Sequence, residues 1–510
     1  MHQLTGLDAS FLYLETPNAP MHISGLSIYD QSTAPGGAVR FKDIISNYDQ
    51  RVRPIPAMTR RLVKVPFSLD HPYWVSDGTY DPEFHIRHIA LPSPGDWRQL
   101  CILIARLHAR PLDRARPLWE AYVIEGLDNV QGVPKGSFAI FSKTHHAAID
   151  GTSGMEMTAA IHDLTPDYKP AVSPATVEVD SQPSTLELLL RAQLNGIKQP
   201  FRFISVARNT LPGFAATYSR LRKGELHRVT GIPRTRFNGR VSPHRVFEAA
   251  LFDLAEIKKI KNSVADATVN DVAITIVGGA LRKYLAHHGE LPGESLAAMA
   301  PVNVRSEKDG TGGNIVSSLT VQVRSDIEDS YQRLQAVHKG TSEAKEFANA
   351  IGAKAMTDYS QFIPSTLTAQ AAKLASSSGL AARIKPQYNC VITNVPGPQF
   401  PLYSTGAKMV ANFGTGPVMD GMGLFHVISS YNGEMSIAAT CCRDMMPDPA
   451  FYKQCIVDSY RELQAAAQAA PAKPTGQSRT KKAAPKRPRR KAVKKPTVDL
   501  RPIPRVVSSN

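Results

Sequence analysis

The stretch "SFAIFSKTHHAAIDGTSG", residues 137–154, sets His145 and His146 side by side with Asp150 and Gly151 shortly after. An imidazole with an unperturbed pKa of about 6.5 suits proton abstraction at neutral pH, and a carboxylate such as Asp150 can orient the ring or the backbone. Metal ligation needs three or four converging ligands, whereas adjacent side chains on an extended backbone point to opposite faces. No third His or Cys lies nearby, so no metal site is expected. The same opposition predicts one catalytic histidine and one structural one.

The elements that position this doublet are legible on both sides. Ser137 to Thr144 is apolar and aromatic enough for a buried strand, and Ser153 to Glu156 has the S-x-x-E form of a capping box opening the helix "GMEMTAAIHDL". The histidines therefore sit at a strand-to-helix junction, where a rigid scaffold can deliver polar side chains to a cleft. A second junction is "TVNDVAIT", residues 268–275. Its T-x-x-D spacing places Asn270 and Asp271 in the first turn of an apolar-periodic helix ending at Gly289, and plain helix capping is a sufficient account of both.

At 510 residues the chain favours two substantial domains, and 42% apolar with 20% charged residues is a globular composition. No uncharged apolar run approaches the ~18 residues of a membrane span. The N-terminus "MHQLTGLDASFLYLE" has neither a basic n-region nor an apolar h-region, so a cytoplasmic protein is expected. Cys101, Cys390, Cys441, Cys442 and Cys455 lack C-x-x-C spacing and read as reduced, mostly buried thiols. The formal charge of +16 is concentrated at one end: residues 471–510 hold thirteen Lys or Arg against Asp499 alone, which puts +12 on that tail.

Composition divides the chain into residues 1–165 with the histidine doublet, a connection at 166–245, an α/β segment at 246–470 and a basic tail at 471–510. The tail is rich in Pro, Ala, Lys and Arg and reads as disordered. The connection begins with the Pro- and Ser-rich "TPDYKPAVSPATVEVDSQPSTL" and continues into Leu and Phe alternating with Arg and Lys at helical spacing. Two readings of those helices stand equally: docking on an anionic membrane surface, or packing on the protein's own flank. From 246 onward strands alternate with helices ("VFEAALFDL", "AEIKKIKNSV", "LAAMAPVNVR"), an α/β layered architecture.

"HHAAIDG" fits HHxxxDG, the signature of the CoA-dependent acyltransferase superfamily. With "LDASFLYLETPNAPMHI", "RPLWEAYVIEGL", "TVNDVAIT", "APVNVR", "GGNIVSS" and "TNVPGP" in this order, residues 1 to about 463 resemble the bacterial wax ester synthase/diacylglycerol acyltransferase family, especially its actinobacterial members. The resemblance implies two chloramphenicol acetyltransferase-like α/β domains in a pseudo-dimeric arrangement. It implies transfer of a long-chain fatty acyl group from acyl-CoA, as co-substrate rather than bound cofactor, to diacylglycerol or a long-chain alcohol. His146 would be the general base, with His145 and Asp150 supporting it, Gly151 keeping the channel turn open, Asn270 the candidate oxyanion donor and Asp271 its support. No covalent acyl-enzyme is required. "RPLWE" is expected to be structural and "NVPGP" a shaped loop, while Arg305 and Asp420 fit a structural ion pair as well as substrate contact.

Two rival readings remain at this point. One is an acyltransferase of the same signature with a polyketide or peptidyl acceptor. The other is a catalytically silent protein binding a lipid surface or nucleic acid through its tail, of which attachment to a membrane or lipid body is favoured over nucleic acid. Acceptor preference, CoA-contacting residues and oligomeric state are not legible.

Overall fold

The structure is a computed structural model that describes residues 1–149, 158–168, 181–197, 219–220, 222–223, 229–303, 316–351 and 383–470. These belong to one compact unit, Met1–Ala470. The capping-box segment after the histidines, Arg305 and the basic tail lie outside the described residues.

Strands β1 (His2–Gln3), β3 (Arg60–Val63) and β4 (Tyr73–Ser76) form a small antiparallel sheet in the order β1-β4-β3. The first large sheet contains β2 (His22–Asp30), β5 (Ile86–Ala90), β6 (Trp119–Glu125), β7 (Phe138–His145), β12 (Tyr403–Ser404) and β13 (Ala407–Thr415). Its order is β12-β13-β2-β7-β6-β5. The second contains β8 (Arg245–Asp253), β9 (Ala297–Asn303), β10 (Val316–Gln322), β11 (Cys390–Pro396), β14 (Leu424–Tyr431) and β15 (Glu434–Cys442) in the order β10-β9-β11-β14-β15-β8. Sheet membership crosses the sequence: β12 and β13 come from the C-terminal half yet complete the N-terminal sheet.

The helices that bear on the site are α1 (Gly6–Leu14), α2 (Phe41–Val52), α3 (Trp97–His108), α4 (residues 185–197), α5 (Leu254–Ser263), α6 (Val269–His287), α7 (Ser330–Ile351) and α8 (Pro449–Ala469). Helix α3 is amphipathic, and its Leu100, Cys101 and Ile104 share an apolar cluster with Leu26 and Phe141 of the first sheet and with Phe247 and Ala249 of β8. At its start Trp97 Nε1 donates to Glu248 at 2.9 Å, and Lys453 lies 5.0 Å over the indole, so α3 ties the two sheets together. The second sheet buries its other apolar side against α5, α6 and α8 in the largest core of the molecule. Helix α6 is buried nearly all round, and Gly278 permits the approach: a Cβ there would stand 2.0 Å from the Val323 carbonyl oxygen. All five cysteines are buried and unpaired.

Candidate active site

Strand β7 buries Phe138 to Phe141 and delivers His145 as its last residue, with His146 in the turn that comes next. The backbone around the pair is fully specified. His145 pairs across the sheet with His22, its N–H donates to the Leu118 carbonyl at 3.0 Å, and the N–H of His146 donates to the Met21 carbonyl at 2.8 Å. Leu118 is the centre of "RPLWE". That segment is packed throughout: Leu118 is fully buried, Trp119 Nε1 donates to the Met58 carbonyl at 2.8 Å, and Arg116 sits 3.6 Å over the Phe84 ring.

The two imidazoles have unequal environments. His145 is buried, and its Nδ1 accepts from the Ala147 N–H at 3.0 Å, which places the proton on Nε2. That Nε2–H donates to Glu15 Oε2 at 2.5 Å, and Arg114 lies 3.2 Å from the other oxygen of the same carboxylate. Burial pushes the Glu15 carboxyl up, but the hydrogen bond from His145, the charge of Arg114 and the Met21 backbone N–H outweigh it and hold the group below its ordinary value. Both ring nitrogens of His145 are thus spent on the scaffold. His146 is only partly buried, and its ring stacks on Phe11 with centroids 3.9 Å apart and planes 14° from parallel. Phe11 comes from α1, whose N-cap Thr5 and buried Ala9 and Leu12 anchor it beneath the turn.

Behind the doublet lies a layer of buried titratable groups. His22, fully buried, meets the His145 ring edge-on at 5.7 Å, and burial followed by the neighbouring Lys143 holds its pKa well below the ordinary value. His108 is pushed down to about 3 by burial and is fixed by Ser24 at 2.9 Å, Thr415 at 3.1 Å and the Gly416 carbonyl at 3.1 Å. Lys143 is buried too, with its pKa lowered by desolvation against the opposing pull of Glu120, 3.3 Å away. In both the His22 and His108 rings burial disfavours the protonated form.

The second motif is also assembled from distant segments. Thr268 and Asp271 form the reciprocal capping box at the start of α6 that their spacing predicts. Asp271 has no exposed surface, and it further accepts from Thr341 Oγ1 at 2.6 Å and from His338 Nδ1 at 3.0 Å, both on α7. Beside it, Asn270 Oδ1 receives Asn394 Nδ2 at 3.4 Å, so "TVNDVAIT" and "TNVPGP" meet side chain to side chain. Gly397 of the latter lies against β14, its N–H donating to the Ser430 carbonyl at 2.9 Å. Both motifs border one apolar core: Met21 and Phe11 reach it from the histidine side, Val269 and Val272 from the asparagine side.

Asp150 and Gly151 lie outside the described residues. Asp420 accepts from the Val241 N–H at 2.8 Å and so joins two segments distant in sequence. Sequence reasoning missed Glu15, Arg114, His338 and Thr341. For Glu15 there is a signal, an acid directly after an apolar helix in "FLYLETP". Asn394 reads from the sequence as part of a turn, without its partner.

The described residues contain no cluster of three or more His, Cys, Asp or Glu arranged for a metal ion, and none of their helices is long and apolar enough to cross a membrane. Comparison with known proteins gives concordant findings. Residues 4–273 match the model of the wax ester synthase/diacylglycerol acyltransferase catalytic domain, and residues 312–464 match that of the family's C-terminal domain. A provisionally named diacylglycerol O-acyltransferase of Mycobacterium tuberculosis (strain H37Rv) is 34% identical over 88% of this chain and 87% of its own. The O-acyltransferase WSD of Acinetobacter baylyi is 31% identical over 88% and 93%. Among solved structures, the wax ester synthase/diacylglycerol acyltransferase of Marinobacter aquaeolei VT8 superposes with TM-score 0.65 at 26% identity, covering 92% of this chain and all of that one. The first condensation domain of the CDA synthetase, 13% identical with TM-score 0.54 over 92% and 97%, shares the fold.

Proposed function

The chain belongs to the wax ester synthase/diacylglycerol acyltransferase family and is an O-acyltransferase, and on that premise we propose that it moves a long-chain acyl group from acyl-CoA to diacylglycerol, and to long-chain alcohols, with His146 as general base. The observation that carries the assignment is the inequality of the doublet: His145 has both ring nitrogens committed to Glu15 and Ala147, while His146 stands in the turn, partly exposed, on the face of Phe11.

His146 takes the proton of the acceptor hydroxyl as its oxygen attacks the thioester carbonyl. The tetrahedral intermediate collapses with loss of CoA thiolate, and the imidazolium returns the proton to sulfur. Neither a Ser nor a Cys nucleophile enters the scheme. With Oδ1 turned toward Asn394, the Asn270 amide presents its N–H end as the oxyanion donor, a contribution of about 3 kcal/mol at such sites. Asp271, locked by its cap and by α7, holds Asn270 in place. Asp150 and Gly151 keep the supporting parts assigned to them from the motif.

Acyl-CoA is water-borne and the acceptor resides in lipid, so the enzyme would work from the cytoplasmic side at the inner membrane or at lipid bodies, the +12 tail adding attraction to anionic headgroups. Purified protein assayed with palmitoyl-CoA against diacylglycerol, hexadecanol and a peptidyl amine tests the reading. Triacylglycerol or wax ester is expected from wild type, and a loss of at least about a thousandfold in His146→Ala with an unchanged unfolding midpoint. Product from the amine alone, or substantial turnover by His146→Ala, would overturn it.

A further inference from the structure

Helix α4 buries one side and leaves a second apolar side uncovered. Ser184 caps it, and Leu188 and Ala192 pack into a cluster with Val65, Tyr73 and Val75, while Asn195 donates to Asp70 at 2.8 Å. At 3.6 residues per turn those three residues face inward, whereas Leu186, Leu190, Leu194 and Ile197 fall within an arc of about 80° on another side. They are 67%, 53%, 56% and 66% exposed. The loop on which α4 rests carries two more exposed apolar side chains. Phe67 and Leu69, 87% and 52% exposed, belong to the loop that contains Val65 and Asp70, the residues α4 touches. Phe67 and Ser68 have positive φ, 57° and 54°, a conformation non-glycine residues rarely adopt, and it holds a phenyl ring out in solvent.

The surroundings of this patch are basic. Arg60, Arg61 and Lys64 precede the Phe67 loop, with Arg61 hydrogen bonded to Gln182 just ahead of α4. On α4 itself the one described cation, Arg191, is paired with Glu187 at 2.9 Å, so the basic edge is the one that Arg60, Arg61 and Lys64 provide. Apolar side chains rimmed by cations complement an anionic lipid interface, where chains insert among acyl groups and cations meet phosphates. A protein partner with only an apolar face would leave Arg60, Arg61 and Lys64 without counter-charges.

We propose that the exposed side of α4 and the Phe67 loop form the surface by which this enzyme docks on anionic lipid. The proposal deepens the reading above, since a lipid acceptor must be reached at such an interface. The test uses the full chain and the double variant L190S/L194S, both exposed positions away from the site. Flotation with phosphatidylcholine vesicles containing phosphatidylglycerol is run at low salt and at about 0.5 M KCl, where the Debye length of roughly 4 Å screens attachment through the basic tail. Expected is salt-resistant binding by wild type that falls at least tenfold in the variant, with activity on detergent-dispersed diacylglycerol retained. Equal binding by the two proteins, or no salt-resistant binding by wild type, would overturn the docking surface. So would light scattering that finds a wild-type dimer and a variant monomer, because the patch would then cover a second copy. Absence of detergent-phase activity in wild type bears instead on the acceptor assignment and leaves the flotation result standing.

Discussion

Replacing Glu15 by alanine removes the carboxylate that holds the His145 ring, and the structure sets the size of the effect. The side chain is 8% exposed, accepts from His145 Nε2 at 2.5 Å and lies 3.2 Å from Arg114. A hydrogen bond with a charged partner contributes about 1.5–3 kcal/mol net. The Arg114 pair, with its guanidinium 31% exposed, adds only about 0.5 kcal/mol after solvent screening. Loss of both, with the His145 N–H left buried without its acceptor, destabilises the fold by about 2–4 kcal/mol. Glu15→Gln keeps an acceptor oxygen and is expected to cost about half as much.

The catalytic effect arises from the same bonds. The His145 ring closes the turn onto Ala147 and thereby sets where His146 stands, so a released ring displaces the proposed base, and an error near 1 Å costs about a hundredfold in rate. Urea unfolding and initial rates on detergent-dispersed diacylglycerol measure the two consequences. We expect kcat about a hundredfold down in Glu15→Ala and less than tenfold down in Glu15→Gln. An alanine variant with wild-type midpoint and wild-type kcat would refute the reasoning, and one that loses stability alone would confine Glu15 to the scaffold. The sign with pH is fixed as well. A carboxyl held below its unfolded value of about 4.3 stabilises fully above that pH, and the contribution is lost as pH falls through the lowered folded value.

Two further outcomes are expected. Asp271→Ala removes the acceptor for the Thr268 N–H, Thr341 and His338 together and should destabilise by about 3–5 kcal/mol in urea unfolding, with Asp271→Asn intermediate; a loss under about 1 kcal/mol would contradict the hub. His108, His162 and His426 are buried with pKa values pushed down to about 3, 4 and 4 by desolvation, so below pH 6.5 the unfolded chain binds protons that the folded one refuses. Stability then falls from pH 6.5 toward about 4, by about 2 kcal/mol per histidine at pH 5 and about 6 kcal/mol for the three, and a flat unfolding midpoint between pH 7 and 5 would contradict it.

What was legible in the sequence was what local chemistry decides. The strand expected at Ser137 to Thr144 runs from Phe138 to His145, and the helix expected from its T-x-x-D cap runs from Val269 to His287, with Thr268 and Asp271 bonded to each other. Those features depend on neighbours three or four residues away. Glu15 and His145 are 130 residues apart, Asn394 and Asn270 124, and nothing in either segment specifies the register that joins them. The amphipathic helices of 186–225 show the same limit. Periodicity marks an apolar stripe, but on α4 only the fold shows that one side rests on Val65 and Tyr73 and another remains exposed.

The strand β13 explains why the site cannot be assigned to the first half of the sequence alone. It pairs with β2 from Lys408–Asp30 to Thr415–Ser24, and β2 in turn pairs His22 with His145. At the end of β13, Thr415 and Gly416 supply two of the three contacts that fix His108, which lies edge-on to His22 at 6.4 Å. A chain of direct contacts therefore runs from the C-terminal third to the layer under the doublet. Without β13 the edge of β2 would present a row of unpaired backbone donors and acceptors, and the buried imidazoles would lose the partners that offset their desolvation. The HHxxxDG motif carries the candidate base, but the geometry that buries His145 against Glu15 and stands His146 in the turn is a property of both halves folded together.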